Sequence, residues 1–290
     1  MYSQIDSNKR KTWIIIGLFL SFVIGVVVIL NRYYGLQYSG MIIAILFSTL
    51  LSIRSYYKSD TIALASTGAK QMSKEENAYV YRMVENLCIT GGIPMPKIYL
   101  IDSPALNAFA TGRDPEHASI ALTTGIIAAL ENEELEGVIA HELSHVKNYD
   151  IRVMTIVVVL VGAIAILIDL VFRGRMFGMG SGERKNGNGY VVLIALILMI
   201  ISPLIAEIIK FAVSRKREFL ADASGALLTR YPEGLARALE KISTSNEPLS
   251  SANSATAHLF ISTPFKRKRM SLFSSHPPVE ERIKALREMA

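Results

Sequence analysis

Cysteine and charged residues are both scarce in this chain. Of its 290 residues only Cys88 is a cysteine, and 19% are Asp, Glu, Lys or Arg. A single cysteine excludes a disulfide within the chain and a zinc site built from thiolates. With 51% hydrophobic residues and a mean hydropathy of +0.34, the chain is more apolar than an ordinary soluble domain. Either its core is unusually large or some segments lie in lipid.

Four long hydrophobic runs account for this composition, and about 20 apolar residues suffice for a helix to cross a bilayer. The first run has no charged residue and follows basic residues, as in a signal peptide. It is long for a signal peptide, however, and no small-residue cleavage site follows it, so we interpret it as a retained anchor. The pattern predicts about four transmembrane helices, at Trp13–Leu30, Leu36–Ile53, Val153–Phe172 and Tyr190–Ile209.

Basic residues beside the runs predict the orientation. Lys9, Arg10 and Lys11 precede the first run, and Arg54 and Lys58 follow the second. Because excess Lys and Arg mark the cytoplasmic side, the N-terminus and the region from residue 54 onward are expected in the cytoplasm. The loop between the third and fourth runs is also basic, so those two runs either span fully or form a hairpin that dips into the membrane. The net charge of +6 is explained by such clusters, and no nucleic-acid partner is predicted.

The runs divide the chain into four parts. Residues 1–53 and 153–209 are predicted to be membrane hairpins, and residues 54–152 and 210–290 to form the cytoplasmic part. In the first polar stretch a capping-box spacing at Ser73 and Glu76 predicts a helix to about Cys88, with Tyr79, Met83 and Leu87 on its apolar face. Two short strands and a longer helix are expected after it, at Lys97–Ile101, Ser119–Leu122 and from about Asn132.

The longer helix carries the sequence His141-Glu142-Leu143-Ser144-His145, which has the form H-E-x-x-H. Residues four apart share one helical face, so both imidazoles can reach one metal ion. Glu142 is placed to take a proton from a metal-bound water. Such a motif arises by chance in roughly one chain in a hundred of this length, and we therefore interpret it as a zinc-binding catalytic motif.

A catalytic zinc site uses three protein ligands and keeps a fourth position for water. No third histidine follows closely after His145, which excludes the pattern H-E-x-x-H-x-x-G-x-x-H. Glu218 is the best candidate for the third ligand. Asp222, four residues later on the same predicted helix, would accept the free ring N–H of a ligand histidine. Without the H-E-x-x-H motif, these two carboxylates would be interpreted as ordinary solvated charges.

Four segments of the chain resemble those of the HtpX family of membrane zinc metalloproteases, which is related to the CaaX prenyl proteases. Their order matches as well, and so do the four hydrophobic runs. The resemblance implies a mainly α membrane protein with a cytoplasmic α+β metalloprotease domain of the zincin type and a small sheet. The segments are Asn107–Gly112, Val138–His145, Ser214–Asp222 and Ser275–Ile283.

The resemblance also implies roles for single residues. His141, His145 and Glu218 would bind one zinc ion per chain, and Glu142 would be the general base. His276 would help to stabilise the oxyanion, although a turn histidine before two prolines explains it equally well. An edge strand would pair with an extended polypeptide substrate, through Asn107, Ala108, Phe109 and Ala110.

The family further implies a stress-linked quality-control endopeptidase of the plasma membrane, acting on membrane or misfolded proteins. Three alternatives stay open: a transporter or channel, suggested by Asp169 and Glu207 in the last two runs, an inactive scaffold, and prenyl-protein processing. His117 and His258 are predicted to be surface or packing residues. None of these features predicts an oligomeric state.

Overall fold

The computed structural model describes residues 2–34, 42, 46, 49–50, 53, 56–158, 215–245, 247–249, 251–252, 256–262, 264 and 277–289. Its helices are α1 (Tyr2–Tyr34), α2 (Ser59–Ser66), α3 (Ala78–Gly91), α4 (Thr124–Ala129), α5 (Asn132–Lys147), α6 (Arg215–Thr229), α7 (Pro232–Thr244) and α8 (Val279–Arg287). Residues 150–158 are helical as well. Its strands are β1 (Lys70–Gln71), β2 (Lys97–Ile101), β3 (Ala108–Gly112) and β4 (Ala118–Thr123).

The expected membrane helices coincide only in part with these elements. The run Trp13–Leu30 falls within α1, although several of its side chains lie outside the described part of the chain. The other three runs, with Asp169 and Glu207, lie mostly outside the described residues. Among the helices that can be assessed, none has both the length and the apolar character that crossing a membrane requires.

The four strands form one sheet in the order β1-β2-β4-β3. The central pair, β2 and β4, is parallel, with Ile98 opposite Ile120. The outer pairs β1–β2 and β3–β4 are antiparallel. Strand β3 therefore lies at one edge of the sheet, where the resemblance places an edge strand.

Alternating side chains of the sheet enter two separate apolar clusters, as the two-residue period of a strand requires. Ala108, Ala110 and Ile120 join the larger cluster, which includes the buried faces of α3, α5 and α7. Phe109 and Ala121 point to the opposite side and join a smaller cluster. The sheet thus packs on the H-E-x-x-H helix with one face and is covered on the other.

The longer helix starts where the sequence predicts. Glu134 in the first turn of α5 accepts a hydrogen bond from the backbone N–H of Glu131 at 2.9 Å, which stabilises the helix start. Lys241 of α7 donates to the same carboxylate at 2.7 Å. These contacts fix α5 against α7 close to the start of the helix that carries the two histidines.

The predicted start of the preceding helix was wrong. Glu76 does accept a hydrogen bond from the backbone N–H of Ser73, at 2.6 Å, but this bond closes a turn and no helix follows directly. Helix α3 begins at Ala78 because Asn77 is its N-cap and accepts from the Val80 N–H. Tyr79, expected on the apolar face, is 53% exposed. Gly92 follows the last helical residue in a left-handed conformation, with a φ of 61°.

Helices α5 and α6 cross in close contact at Gly225. A Cβ atom at this position would stand 3.0 Å from the backbone nitrogen of His141 and 3.2 Å from the carbonyl carbon of Ala140. Because glycine has no Cβ, the two backbones can approach this closely without the shift that a larger residue would require. This approach brings the side chains of α6 next to the histidines of α5.

Candidate metal centre

His141, His145 and Glu218 converge on one point between α5 and α6. The Nε2 atoms of the two histidines are 3.2 Å apart. Glu218 places Oε2 3.9 Å from Nε2 of His141 and Oε1 3.7 Å from Nε2 of His145. All three side chains are buried. The group offers three ligand atoms within 4.8 Å of one another.

These separations suit a tetrahedral metal ion. Ligand atoms that each lie about 2.0–2.2 Å from one zinc ion are about 3.3–3.6 Å apart in a tetrahedral arrangement. The two histidine nitrogens, 3.2 Å apart, lie close to that range, and the distances of 3.7 and 3.9 Å to the two oxygens of Glu218 are slightly longer. Two imidazoles and one carboxylate are also a donor set that catalytic zinc sites use. The side chains present therefore fit a zinc ion.

Each histidine is oriented by a carboxylate on its other ring nitrogen. Asp222 Oδ1 lies 2.9 Å from Nδ1 of His141. Asp150 Oδ2 lies 3.0 Å from Nδ1 of His145. A carboxylate at Nδ1 holds the hydrogen there and leaves the Nε2 lone pair for a metal. Both rings thus present Nε2 to the same point.

Two arginines complete the buried charges. Arg282 of α8 donates from Nε and Nη2 to Asp222, at 2.8 and 2.7 Å, and its Nη1 lies 3.7 Å from Glu218. Arg217 Nη1 lies 3.7 Å from Asp150 Oδ1. Four carboxylates are buried here beside two guanidinium groups, so the cluster is rich in acidic groups whose charge a divalent cation would offset. The carboxylates are those of Glu142, Asp150, Glu218 and Asp222.

The pKa values reflect this crowding of charge. Burial favours neutral His145, but its hydrogen bond to Asp150 and the charge of Glu218 outweigh burial and raise its pKa to about 9. Burial would raise the pKa of Asp222, yet the charge and hydrogen bonds of Arg282 lower it to about 2. The surroundings that stabilise a positive charge on His145 would stabilise a metal cation in the same way.

Glu142 lies between the metal-binding group and the edge strand. It is buried, and its carboxylate accepts a hydrogen bond from the backbone N–H of Ala110 in β3. Burial raises the pKa of this carboxyl, while the two neighbouring histidines oppose the rise. A carboxylate with a raised pKa is a stronger base than an ordinary one.

The edge of β3 is partly occupied by the chain itself. The carbonyl of Ala108 accepts from the backbone N–H of Ile261 at 3.0 Å. The Asn107 side chain donates to the Ser262 carbonyl at 3.0 Å. At the other end of the strand, the N–H of Gly112 donates to Oγ1 of Thr155. Residues expected to bind substrate therefore make contacts within the fold.

The remaining histidines lie apart from this cluster or outside the described residues. His276 is among the residues that the structure does not describe. His117 is exposed and pairs with Asp114 at 2.6 Å. His258 is buried, and its Nε2 donates to the Met154 carbonyl at 3.0 Å. His117 thus lies at the surface, and His258 lies in the packed interior.

Arg282 and Asp150 belong to the site but were not predicted from the sequence. Arg282 lies within the segment Ser275–Ile283 that carries the resemblance, and an arginine in that segment was the available signal. Asp150 follows His145 by five residues, and no spacing rule points to it. Its position depends on the turn at Tyr149, which has a positive φ of 60°.

Comparisons with known proteins agree with this geometry. "Protease HtpX homolog" of Dictyoglomus thermophilum is 45% identical over 288 residues, covering 99% of this chain and 94% of the relative. The protein of the same description from Streptococcus uberis is 40% identical over 297 residues, with full coverage of both chains. The crystal structure of S. mikatae Ste24p is similar with a TM-score of 0.52 and 21% identity, covering 99% of this chain and 67% of that one. At this identity the structural similarity supports the fold alone.

The family model for Peptidase family M48 matches residues 74–290, which include every residue of the metal-binding group. The mainly helical architecture with its small sheet is the fold of that family. With relatives of 40–45% identity along the whole chain, the resemblance to HtpX-type proteases is confirmed. This chain is a metalloprotease that belongs to peptidase family M48, among its HtpX-type members.

Proposed function

We propose that the chain is a membrane-embedded, zinc-dependent endopeptidase in which His141, His145 and Glu218 hold one zinc ion and Glu142 is the general base. The observation that carries the proposal is the convergence of three buried donor atoms within 4.8 Å of one another. Glu142 is buried beside them and contacts the edge strand through the Ala110 N–H. Metal ligands, base and a potential substrate strand therefore share one location.

Zinc held by these side chains would polarise a peptide carbonyl and lower the pKa of a water molecule to about 7. Glu142 accepts the proton as the water attacks and then delivers it to the leaving amine. Burial raises the pKa of Glu142 above its ordinary value, which makes the carboxylate a stronger base for this proton. Asp222 and Asp150 keep the histidine rings in place through Nδ1. No covalent intermediate with the protein is needed.

Polypeptide substrates would bind in extended form along β3, through the backbone of Asn107–Ala110. The Ala108 carbonyl is bonded to the Ile261 N–H. Substrate pairing at this carbonyl therefore requires displacement of Ile261, whereas pairing elsewhere along the edge does not. We assign His276 to stabilisation of the oxyanion, in line with the family resemblance.

We place the enzyme in the plasma membrane, with the metal centre on the cytoplasmic side and with misfolded or membrane proteins as substrates. The four apolar runs and the basic residues beside them support this location. Large apolar side chains are exposed on α1, among them Trp13 at 66% and Leu18 at 49%. The relatives are described as proteases of the HtpX type, and the role in quality control follows from the family resemblance.

A single introduced cysteine tests the topology. In a Ser181→Cys, Cys88→Ala protein, a full crossing by both last runs exports the loop, and an impermeant thiol reagent labels intact cells. Labelling only after the cells are opened would favour a re-entrant hairpin. The metal ligands share one side of the membrane in either case, since zero and two crossings return the chain to the same side.

The substitution Glu142→Gln tests the chemistry. The amide keeps the shape of the side chain but cannot act as a base, so zinc content should stay at one ion per chain while casein cleavage falls by about 10²–10⁴-fold. Wild-type protein treated with a chelator and then reloaded with zinc is the positive control. Wild-type cleavage by the Glu142→Gln protein would exclude Glu142 as the base.

A further inference from the structure

Helix α1 contacts residues 148–150, the turn that follows the H-E-x-x-H helix. We call this turn the 148–150 corner. Asn8 is 1% exposed. Its side-chain amide donates to the Asn148 carbonyl at 2.9 Å and to Oδ1 of Asp150 at 2.8 Å, across 140 and 142 residues of sequence. Both partners are acceptors, so the amide must direct its NH₂ group toward them. Lys9 adds a contact at the same corner, with Nζ 5.0 Å from the ring centre of Tyr149.

This corner determines where the Asp150 carboxylate lies. Tyr149 has a φ of 60°, a left-handed conformation that a residue with a Cβ seldom adopts. The hydrogen bond from Asn8 to the Asn148 carbonyl holds the backbone just before that residue, and the bond to Asp150 holds the side chain just after it. Asn8 thus supports both sides of an unfavourable turn.

The carboxylate of Asp150 also contacts His145, one of the two histidines at the candidate metal site. Its Oδ1 accepts from Asn8, while its Oδ2 lies 3.0 Å from Nδ1 of His145. The orientation of the carboxylate therefore fixes the orientation of the ring. Groups that bond to the outer nitrogen of a ligand histidine commonly govern metal affinity.

If Asn8 only filled space in the interior, its amide would make the protein less stable than an apolar side chain would. Its Oδ1 is buried and has no hydrogen-bond partner among the described residues. A buried acceptor without a partner lowers stability, and an apolar side chain would avoid that cost. What the amide provides, and an apolar side chain cannot, is the pair of bonds to the 148–150 corner.

We propose that Asn8 is a positioning residue of the metal centre, which orients His145 through Asp150 and makes α1 part of the catalytic unit. The inference rests on the proposed role of His145 as a zinc ligand. It goes beyond that role because it assigns a function to a residue outside the matched family region, which begins at residue 74.

A simpler explanation is that Asn8 only fastens α1 to the rest of the protein. Thr12 provides the matched control. It lies one turn further along α1 and is fully buried, and its hydroxyl donates to the Asn8 carbonyl within the same helix. Thr12→Val therefore disturbs the buried face of α1 without removing a bond to Asp150.

The experiment measures metal release from the full-length protein in detergent micelles. Zinc transfer to a chromogenic chelator should be about tenfold faster in Asn8→Ala than in wild type, at the lower end of the range for groups that orient ligand histidines. With Co²⁺ in place of zinc, the visible absorption band should shift in Asn8→Ala. Thr12→Val should keep the wild-type release rate and band, even if its melting temperature falls.

Asp150→Ala provides the second arm. In that background the further change Asn8→Ala should not accelerate release again, because its route to His145 is already lost. If Asn8→Ala yields too little folded protein, Asn8→Leu keeps roughly the size of the side chain, removes both donors without adding charge and should release metal at least as fast. Equal release rates in Asn8→Ala and Thr12→Val, or a full Asn8 effect without Asp150, would overturn the inference. A wild-type protein that bound no zinc would instead contradict the proposed function.

Discussion

Arg282 binds Asp222 through two parallel hydrogen bonds of 2.8 and 2.7 Å, and both side chains are almost fully buried. The pair connects α8, near the end of the chain, with the carboxylate that orients His141. Because Arg282 also lies 3.7 Å from Glu218, its charge offsets two buried carboxylates at once.

Removal of this arginine should strongly destabilise the protein. Arg282→Ala leaves Asp222 and Glu218 buried without their cation, and loss of one partner of a buried ion pair costs about 3–5 kcal/mol. Arg287→Ala is the control, since Arg287 lies on the same helix but is exposed, with surface partners. Denaturant unfolding of both variants measures how much stability each one loses. Similar midpoints for the two would show that the buried pair contributes little.

Glu218 should prove necessary for metal binding. Glu218→Ala removes one of three donor atoms and should lower zinc content far below one ion per chain, because two imidazoles alone bind zinc weakly. Glu280→Ala and Glu281→Ala remove exposed carboxylates from α8 and should retain full zinc content. Metal analysis after dialysis provides the test, and equal zinc content in all three variants would remove Glu218 from the site.

An added side chain at Gly225 should be costly. Gly225→Ala places a methyl group 3.0 Å from the His141 nitrogen, so α5 and α6 must move apart by a few tenths of an ångström and stability should fall by about 1–3 kcal/mol. Zinc affinity should fall as well, because Glu218 and the histidines lie on the separated helices. Gly17→Ala in α1 is the control, since its Cβ would meet nothing within 4 Å. Unchanged melting and zinc affinity in Gly225→Ala would contradict the close packing.

Cys88 should react slowly with thiol reagents. It is 4% exposed, and burial raises its pKa to about 11 from an ordinary value of 9. At pH 8 the thiolate fraction is then about a hundredfold smaller than for an ordinary cysteine, and it rises about tenfold per pH unit until pH 11. Thr90→Cys in a Cys88→Ala background, exposed on the same helix, is the reference. Comparable rates at pH 8 would disprove the burial.

Local patterns in the sequence predicted the parts of the fold that depend on near neighbours. Strand Lys97–Ile101 and the helix from Asn132 were predicted correctly, because strand composition and a charged first turn are local signals. The helix start at Ser73 was wrong, since Asn77 four residues later is the actual N-cap. Two potential caps so close together cannot be ranked by spacing alone.

The residues of the candidate metal centre could be predicted from the sequence only because helical spacing groups them in pairs. His141 with His145, and Glu218 with Asp222, are each four residues apart. The groups that orient and balance them come from elsewhere in the chain, Asn8 from α1 and Arg282 from α8. Contacts across 140 or 60 residues depend on tertiary packing, which no single-sequence pattern encodes.

The bonds from Asn8 to the 148–150 corner change how the activity of an enzyme without its N-terminal helix should be interpreted. Apolar N-terminal segments are often deleted to obtain a water-soluble protease fragment, and here the deletion of residues 2–34 would remove the amide that supports Asp150. Such a fragment would lose the tight zinc retention that α1 supports through Asn8, whether or not the reaction requires lipid. Adding lipid back would not restore it, whereas supplying α1 as a separate peptide would.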